Sequence, residues 1–335
     1  MLQKILTGIK PTGQIHIGNY VGAIKPSLDL AQKDNISSYL FIADSHSLTI
    51  QPPTAELKHS IHQAASAWLA CGLDPNKVFF YCQSDIPELF ELNWILSCCT
   101  PKGLMNRAHS YKAKRDQNLK LGKKDLDDKV NMGLYNYPIL MSADILLFSP
   151  HQVPVGGDQV QHLEMARDIA QKFNHIYKSN LFTIPKALVR EQKILPGLDG
   201  RKMSKSYNNE IPLFLESKKL QKLIRKIKTD SLPAETPKDT KNCLIFQIYK
   251  HFASAKETQN LKEHYAKGIG WGEAKDILFY KLEDYFKKKK ETYDHYMSQP
   301  LELEKILKTG SEKVKEEAQA FLKQVKKTVG LFKEL

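Results

Sequence analysis

A chain of 335 residues, 41% of them hydrophobic, is long enough for about two domains and a sizeable core. Lys plus Arg outnumber Asp plus Glu by 50 to 37, giving a formal charge of +13 and a pI near 9.3, so an anionic partner is expected, nucleic acid first. The start, MLQKILTGIK, reads as no secretory leader, and no window approaches the roughly 18 uninterrupted apolar residues of a membrane span. The five cysteines form no C-x-x-C pair and the eleven histidines no H-E-x-x-H, so the expectation is a soluble cytoplasmic protein with free buried thiols and no metal site.

Through the first 200 residues, short runs rich in β-formers alternate with longer helical patterns, which predicts a parallel sheet with crossover helices. Strands are predicted over residues 4–9, 39–43, 78–83 and 152–155. A helix is predicted over 54–71, with Gly72 as its C-terminal cap and Pro75 stopping any continuation. From about residue 207 the strand signal disappears. Apolar residues three and four apart predict helices over 220–227, 243–252, 274–285 and 311–329. The expected organisation is therefore a Rossmann-like α/β domain over 1–206, followed by an all-helical domain over 207–335. That second stretch carries 26 Lys plus Arg against 19 Asp plus Glu, so both parts are basic. SLPAETPKDTKN, residues 231–242, reads as an exposed connection, and the lysine run 287–290 as the solvated end of a helix, where cations suit the dipole.

Residues 12–22 read TGQIHIGNYVG, directly after the first predicted strand. A strand that runs through a glycine-rich turn into a helix leaves unpaired N–H groups and a positive dipole end, for which phosphate is the natural guest. G-x-G-x-x-G and G-x-x-x-x-G-K-[ST] are both absent, which leaves H-x-G-N, with His16 at the turn and Gly18 at the helix start. A second signal, KMSKS at 202–206, follows Gly197, Gly200 and Arg201 in a predicted mobile loop. Its two lysines make a cationic clamp, because lysine is a compact charge on a flexible stem. In GGDQVQ, Asp158 can cap the next helix, with Gln161 completing a capping box. Asp144 interrupts the apolar run ILMSADILLF, where a carboxylate without a partner is unfavourable.

Paired in this way, HIGN and KMSKS resemble the HIGH and KMSKS signatures of the class I aminoacyl-tRNA synthetases. YPILMSADILLF at 137–148, VPVGGDQVQHLEMARDIAQKFN at 153–174 and the opening GIKPTG resemble the bacterial-type tryptophanyl-tRNA synthetases within that class. The similarity covers most of the first 206 residues, and the last third matches by length and helical character. The resemblance implies attack of the L-tryptophan carboxylate on the α-phosphorus of ATP, the ATP phosphates carrying Mg2+, and then transfer to tRNA(Trp). It also implies a homodimer.

Carried over residue by residue, the resemblance makes His16 a donor to the phosphates and lays the adenosine against Gly18. Asn19 stands for the second histidine of HIGH. Lys202 and Lys205 grip the leaving pyrophosphate, with Lys112 or Lys114 of HSYKAK reaching in from another side. Lys10, Pro11, Thr12, Gly156, Gly157, Asp158, Ile194, Met203, Ser204 and Ser206 complete the ATP set, Lys10 standing where many relatives carry glutamine. Asp144 accepts the indole N–H, Tyr137 and Gln159 lie near the amino group, and His46, Met141, Val153 and Val155 shape the ring pocket. A tyrosyl-tRNA synthetase shares these signatures and a pocket aspartate, and a non-catalytic tRNA-binding relative would keep the fold without the chemistry. The Y-P-x-L-M-x-A-D spacing favours tryptophan, and intact His16, Lys202 and Lys205 favour an enzyme.

Overall fold

The computed structural model describes residues 3–11, 13–189 and 195–331, apart from the side chains of Asp158 and Val189. Its sheet has five parallel strands, β1 (Gln3–Ile9), β2 (Ile36–Ile42), β3 (Phe79–Cys82), β4 (Gln152–Val155) and β5 (Lys186–Val189), in spatial order β3-β2-β1-β4-β5. The apolar runs predict the first four. β5 is an addition: KALV follows Pro185 and is too short to show a period. From β1 the chain builds outward through β2 to β3, then returns to lay β4 on the other side of β1. The carboxyl ends of β1 and β4 therefore flank the topological switch point, where open α/β sheets bind ligands.

After β1 the chain enters a continuous helical segment made of α1 (Ile17–Asn19), a π-helical turn (Tyr20–Ile24) and α2 (Lys25–Ala31). β2 leads into α3 (Asp44–Ser47) and α4 (Thr54–Ala70). α4 stops as predicted, with Gly72 at φ +108°, its N–H on the Leu69 carbonyl at 2.9 Å and that of Leu73 on Trp68 at 3.1 Å. Between β3 and β4 lie α5 (Pro87–Cys99), α6 (Lys102–Met105), α7 (His109–Lys120) and α8 (Met132–Leu147), and α9 (Val160–Ile176) precedes β5.

Beyond residue 207 the described regular elements are helices: α10 (Ser217–Arg225), α11 (Leu244–Tyr249), α12 (Ala255–Lys267), α13 (Trp271–Ser298) and α14 (Pro300–Thr328). α12 is absent from the apolar periodicity because its buried stripe is only Leu261 and Tyr265. α13 runs on to Ser298, so residues 287–290 lie inside a helix and not at its end. There Lys290 pairs with Glu216 at 3.1 Å and Asp294 at 2.6 Å, which replaces the dipole reading. The connection 231–242 is mostly exposed, yet Lys238 is buried within it and donates to the carbonyls of Pro233, Thr236 and Ala234 at 2.7, 3.1 and 3.3 Å.

The last helix returns to the sheet. Val314, Ala318, Leu322 and Val325 share a core with Tyr39, Tyr81 and the buried face of α5. At Gly310 the helix lies so near β3 that a Cβ would fall 1.7 Å from the Phe80 carbonyl oxygen, which only glycine permits. Two turns further on, Glu317 accepts the Tyr39 hydroxyl at 2.7 Å and the Lys4 ammonium at 2.5 Å. α13 meanwhile packs against α4 and α10. Cys71, Cys82, Cys99 and Cys243 are buried and Cys98 is exposed, all of them free thiols, and no described helix is long and apolar enough to cross a membrane.

Candidate active site

The turn after β1 is organised by its own histidine. His16 is the N-cap of α1: its Nδ1 accepts the Asn19 N–H at 3.2 Å, while the Asn19 side-chain oxygen accepts the His16 N–H at 3.1 Å. This reciprocal pair is a capping box built from histidine and asparagine. With Nδ1 an acceptor, the ring proton sits on Nε2, which leaves His16 a neutral donor. Burial, and then the nearby Lys205 charge, push the pKa of His16 down to about 4 against an opposing pull from Glu210. Gly18 is required by the same ring, since a Cβ there would lie 2.9 Å from His16 Nδ1.

That depressed pKa has a measurable sign. Below its ordinary value of 6.5 the unfolded chain takes up a proton at His16 that the folded site refuses until about 4. The stability due to His16 is thus complete above 6.5 and is lost as pH falls through that window. Urea denaturation of wild type and His16→Gln, run from about pH 7.5 to about pH 4.5, should show the variant losing less stability on acidification. Parallel curves would mean that the ring stays solvated.

The KMSKS segment is held against this turn by the backbone. The Ile17 N–H donates to the Ile211 carbonyl and the Leu213 N–H to the Ile15 carbonyl, both at 2.9 Å, so the chain around His16 pairs with the chain that follows KMSKS. Before it, Pro196 and Lys202 form a bridge closed by the Gly197 N–H on the Arg201 carbonyl at 2.7 Å. Met203 is buried, and its N–H bonds the Leu195 carbonyl at 2.9 Å. Buried Asn209 clasps the segment: it accepts the Ser204 N–H at 2.9 Å and donates to the Lys202 carbonyl at 3.2 Å and to Asp199 at 2.6 Å. Ser204 in turn accepts the Ser206 N–H at 3.3 Å. Lys205 comes to lie beside the turn, its Nζ 3.6 Å from where a Cβ on Gly13 would sit. Burial lowers its pKa and the Glu210 charge raises it.

A cavity of about 590 Å³ opens at the carboxyl ends of β1 and β4 and reaches the helical segment after His16 at Gly22 and Ala23. Nine of the sequence-predicted residues line it: Lys10, His46, Tyr137, Met141, Asp144, Val153, Val155, Gly156 and Gln159. Tyr137, Met141 and Asp144 share one face of α8 because they stand at i, i+4 and i+7. The partner that buried Asp144 requires turns out to be double. His46 Nε2 lies 2.9 Å from its Oδ2, and the Gln83 amide donates to Oδ1 at 2.8 Å and Oδ2 at 3.0 Å. Burial raises the pKa of Asp144, and these hydrogen bonds oppose the rise. Two turns earlier on the same face, the Tyr137 hydroxyl bonds Ser110 at 2.6 Å and also the ring of His162.

Other candidates lie outside this lining. Pro11, Gly18, Asn19, Met203, Ser204 and Ser206 belong to the turn and the clasped segment, and Gly157 opens the short turn before α9. Lys114, on α7, bonds Gln117 of its own helix at 3.3 Å. Thr12, Ile194 and the side chain of Asp158 fall outside the described residues. Gln161 does not reach back to close a capping box. It accepts the His109 N–H at 2.8 Å and donates to the Arg107 carbonyl at 3.0 Å, tying the start of α7, and with it Ser110, to α9. Sequence reasoning missed Gln83, Ser110 and Leu6. Only Leu6 carried a signal, since it lies in the first predicted strand, whose carboxyl half reaches the cavity.

A neutral histidine, a lysine held beside it and an apolar cavity holding a buried carboxylate, all at the carboxyl edge of a parallel sheet, are the setting of a nucleotide-handling α/β enzyme. The family model described as tRNA synthetases class I (W and Y) matches residues 3–287. The tryptophan–tRNA ligase of Neisseria meningitidis is 49% identical over 331 residues, 98% of each chain. That of Xanthomonas campestris is 47% identical over 333 residues, 99% of this chain and 77% of its own length. The crystal structure of Campylobacter jejuni tryptophanyl-tRNA synthetase complexed with ADP and tryptophan superimposes with a TM-score of 0.89 at 43% identity, covering 98% of this chain and all of that one. The chain belongs to the class I tRNA synthetases, in their bacterial tryptophanyl branch.

Proposed function

We infer that this chain is a tryptophan–tRNA ligase, joining L-tryptophan to tRNA(Trp) through an adenylate. In the first step a tryptophan carboxylate oxygen bonds to the α-phosphorus of ATP as the bond from that phosphorus to the bridging oxygen breaks, and pyrophosphate leaves with the electron pair. The carboxylate is already ionised at neutral pH, so the step needs no general base. Catalysis rests on positioning and on stabilising phosphoryl charge. ATP enters as its magnesium complex.

The roles assigned to this chain's residues follow the resemblance, and the grouping of nine of them around one cavity beside the His16 turn supports them. The Nε2–H of His16 donates to the triphosphate, with Asn19 fixing the ring, and Lys205 and Lys202 follow the leaving pyrophosphate, joined by Lys114 from α7. The adenosine lies along Gly18, with Gly156, Gly157 and Asp158 at the ribose, and Lys10 stands at the rim. Tyr137 and Gln159 take the amino group, and His46, Met141, Val153 and Val155 wall the indole. A ring N–H can only donate, so Asp144 is its acceptor. In the second step a terminal hydroxyl of tRNA attacks the adenylate, with residues 207–335 as the tRNA platform and 1–206 as the activating part. The basic surface of both parts suits that polyanion. The enzyme works in the cytoplasm as a homodimer, an assembly favoured by Phe90 and Trp94, which are exposed one turn apart on α5.

The observation that carries this reading is a buried carboxylate on the wall of an apolar cavity that reaches the helical segment beginning at the His16 turn, against which Lys205 is held. The test is amino-acid-dependent exchange of pyrophosphate into ATP with all twenty amino acids. Tryptophan alone should support rapid exchange, and comparable exchange with tyrosine would overturn the assignment.

A further inference from the structure

Gln83 stands immediately after β3 with 1% of its surface exposed, a neutral residue with no place in the signature motifs. Its side chain is nonetheless fully committed. The amide nitrogen donates to both oxygens of Asp144, at 2.8 and 3.0 Å, and the amide oxygen accepts the backbone N–H of His46 at 3.3 Å. That last bond fixes which end of the amide faces the carboxylate. His46 closes the arrangement from the other side, with its ring nitrogen 2.9 Å from Oδ2.

An ionised carboxylate offers about four acceptor sites. On Oδ2 the bonds from Gln83 and His46 fill both. On Oδ1 the bond from Gln83 fills one, and one is left. We propose that Gln83 is a positioning residue for tryptophan selection: together with His46 it turns Asp144 into an acceptor with a single open site, on the oxygen that Gln83 alone holds. The proposal rests on the reading that Asp144 accepts the indole N–H. Without Gln83 the carboxylate would gain rotational freedom and two further open sites, one on each oxygen, and a bound indole N–H would no longer find the acceptor in a set place. A residue that merely packed the strand end would weaken every amino acid alike.

The experiment compares tryptophan with an analogue bearing sulfur in place of the indole N–H, in pyrophosphate exchange by wild type, Gln83→Met and Asp144→Ala. Gln83→Met should raise the KM for tryptophan about tenfold, the scale of one charge-assisted hydrogen bond, while the KM for the sulfur analogue moves less than about twofold. The loss should fall on tryptophan and not on the KM for ATP. Equal losses for tryptophan and the analogue, or no loss for tryptophan, would overturn the role of Gln83. If wild type prefers tryptophan and Asp144→Ala removes that preference, the reading of Asp144 stands whatever Gln83→Met does. If Asp144→Ala leaves the preference intact, both fall. Should Gln83→Met melt well below wild type, Gln83→Asn takes its place with the same outcomes, because it keeps a buried amide but draws the donor back by one methylene.

Discussion

Lys205→Ala is expected to slow formation of the adenylate by about 10²–10³-fold, equivalent to about 2.7–4 kcal/mol, the scale for removing one electrostatic stabiliser of a transition state. The ammonium lies against the His16 turn, where its charge is already felt as a depressed histidine pKa. Its place is fixed by the strand-like pairing of residues 15–17 with 211–213 and by the Asn209 clasp, so the cation needs little rearrangement when charge develops on the pyrophosphate. The amino-acid cavity is a separate surface, which Lys205 does not line. Single-turnover activation at saturating substrates should show the rate loss, with tryptophan affinity measured by equilibrium binding changed far less. An unaltered single-turnover rate would remove Lys205 from the chemistry.

Asp144→Ala is expected to weaken tryptophan by roughly 1–3 kcal/mol, more if the full charge of the acceptor is felt, because a buried indole N–H is left without a partner. The same substitution orphans the amide of Gln83 and the ring of His46, so a fall in melting temperature accompanies it. The sulfur analogue separates the two effects. It should bind wild type poorly and the variant with little further penalty, since neither partner then offers the bond. Tyrosine should stay a poor substrate of wild type, its shorter ring leaving part of the cavity unfilled. Equal losses for tryptophan and the analogue would reduce Asp144 to a structural residue.

The parts of this molecule that were legible in the sequence are those in which a local pattern carries the physics. β1 and β2 read as strands because each carries a short run of buried apolar residues, Ile5 and Leu6 in β1 and residues 39–42 in β2, as a strand covered on both faces does. α4 was readable to its last turn through Gly72. α12 was not found by periodicity, although its start, Ser254 with Glu257 three residues on, is a complete capping box that could have revealed it. The long reach of α13 through KKKK was missed because an exposed helical face is polar and looks like a terminus.

The candidate site divides along the same line. Tyr137, Met141 and Asp144 share a helical period, and HIGN and KMSKS are local signatures, so both groups stand out in one dimension. The pairing that brings His16 and Lys205 together joins segments nearly 200 residues apart, and nothing in either segment specifies it. Gln83 is the limiting case. In YCQSD it is an ordinary polar residue, and its meaning comes wholly from α8 laying a carboxylate over the end of β3. Gln161 shows the converse, since a motif that fits a capping box locally is overridden by two backbone groups that only the fold brings near.

The return of α14 to the sheet has a consequence for the birth of the molecule. Tyr39 and Glu317, which meet in a hydrogen bond, are 278 residues apart in the chain. At roughly 5–20 residues per second, a ribosome that has made β2 needs about a quarter of a minute to a minute more to make its partner on the last helix. Until α14 is made the edge of β3 is uncovered and α5 is covered only by α8 and α9, so the nascent chain presents apolar surface beside an unfinished strand edge. Only once α14 has been made is that edge covered. The apolar surface exposed during elongation thus belongs to the half of the protein that is made first.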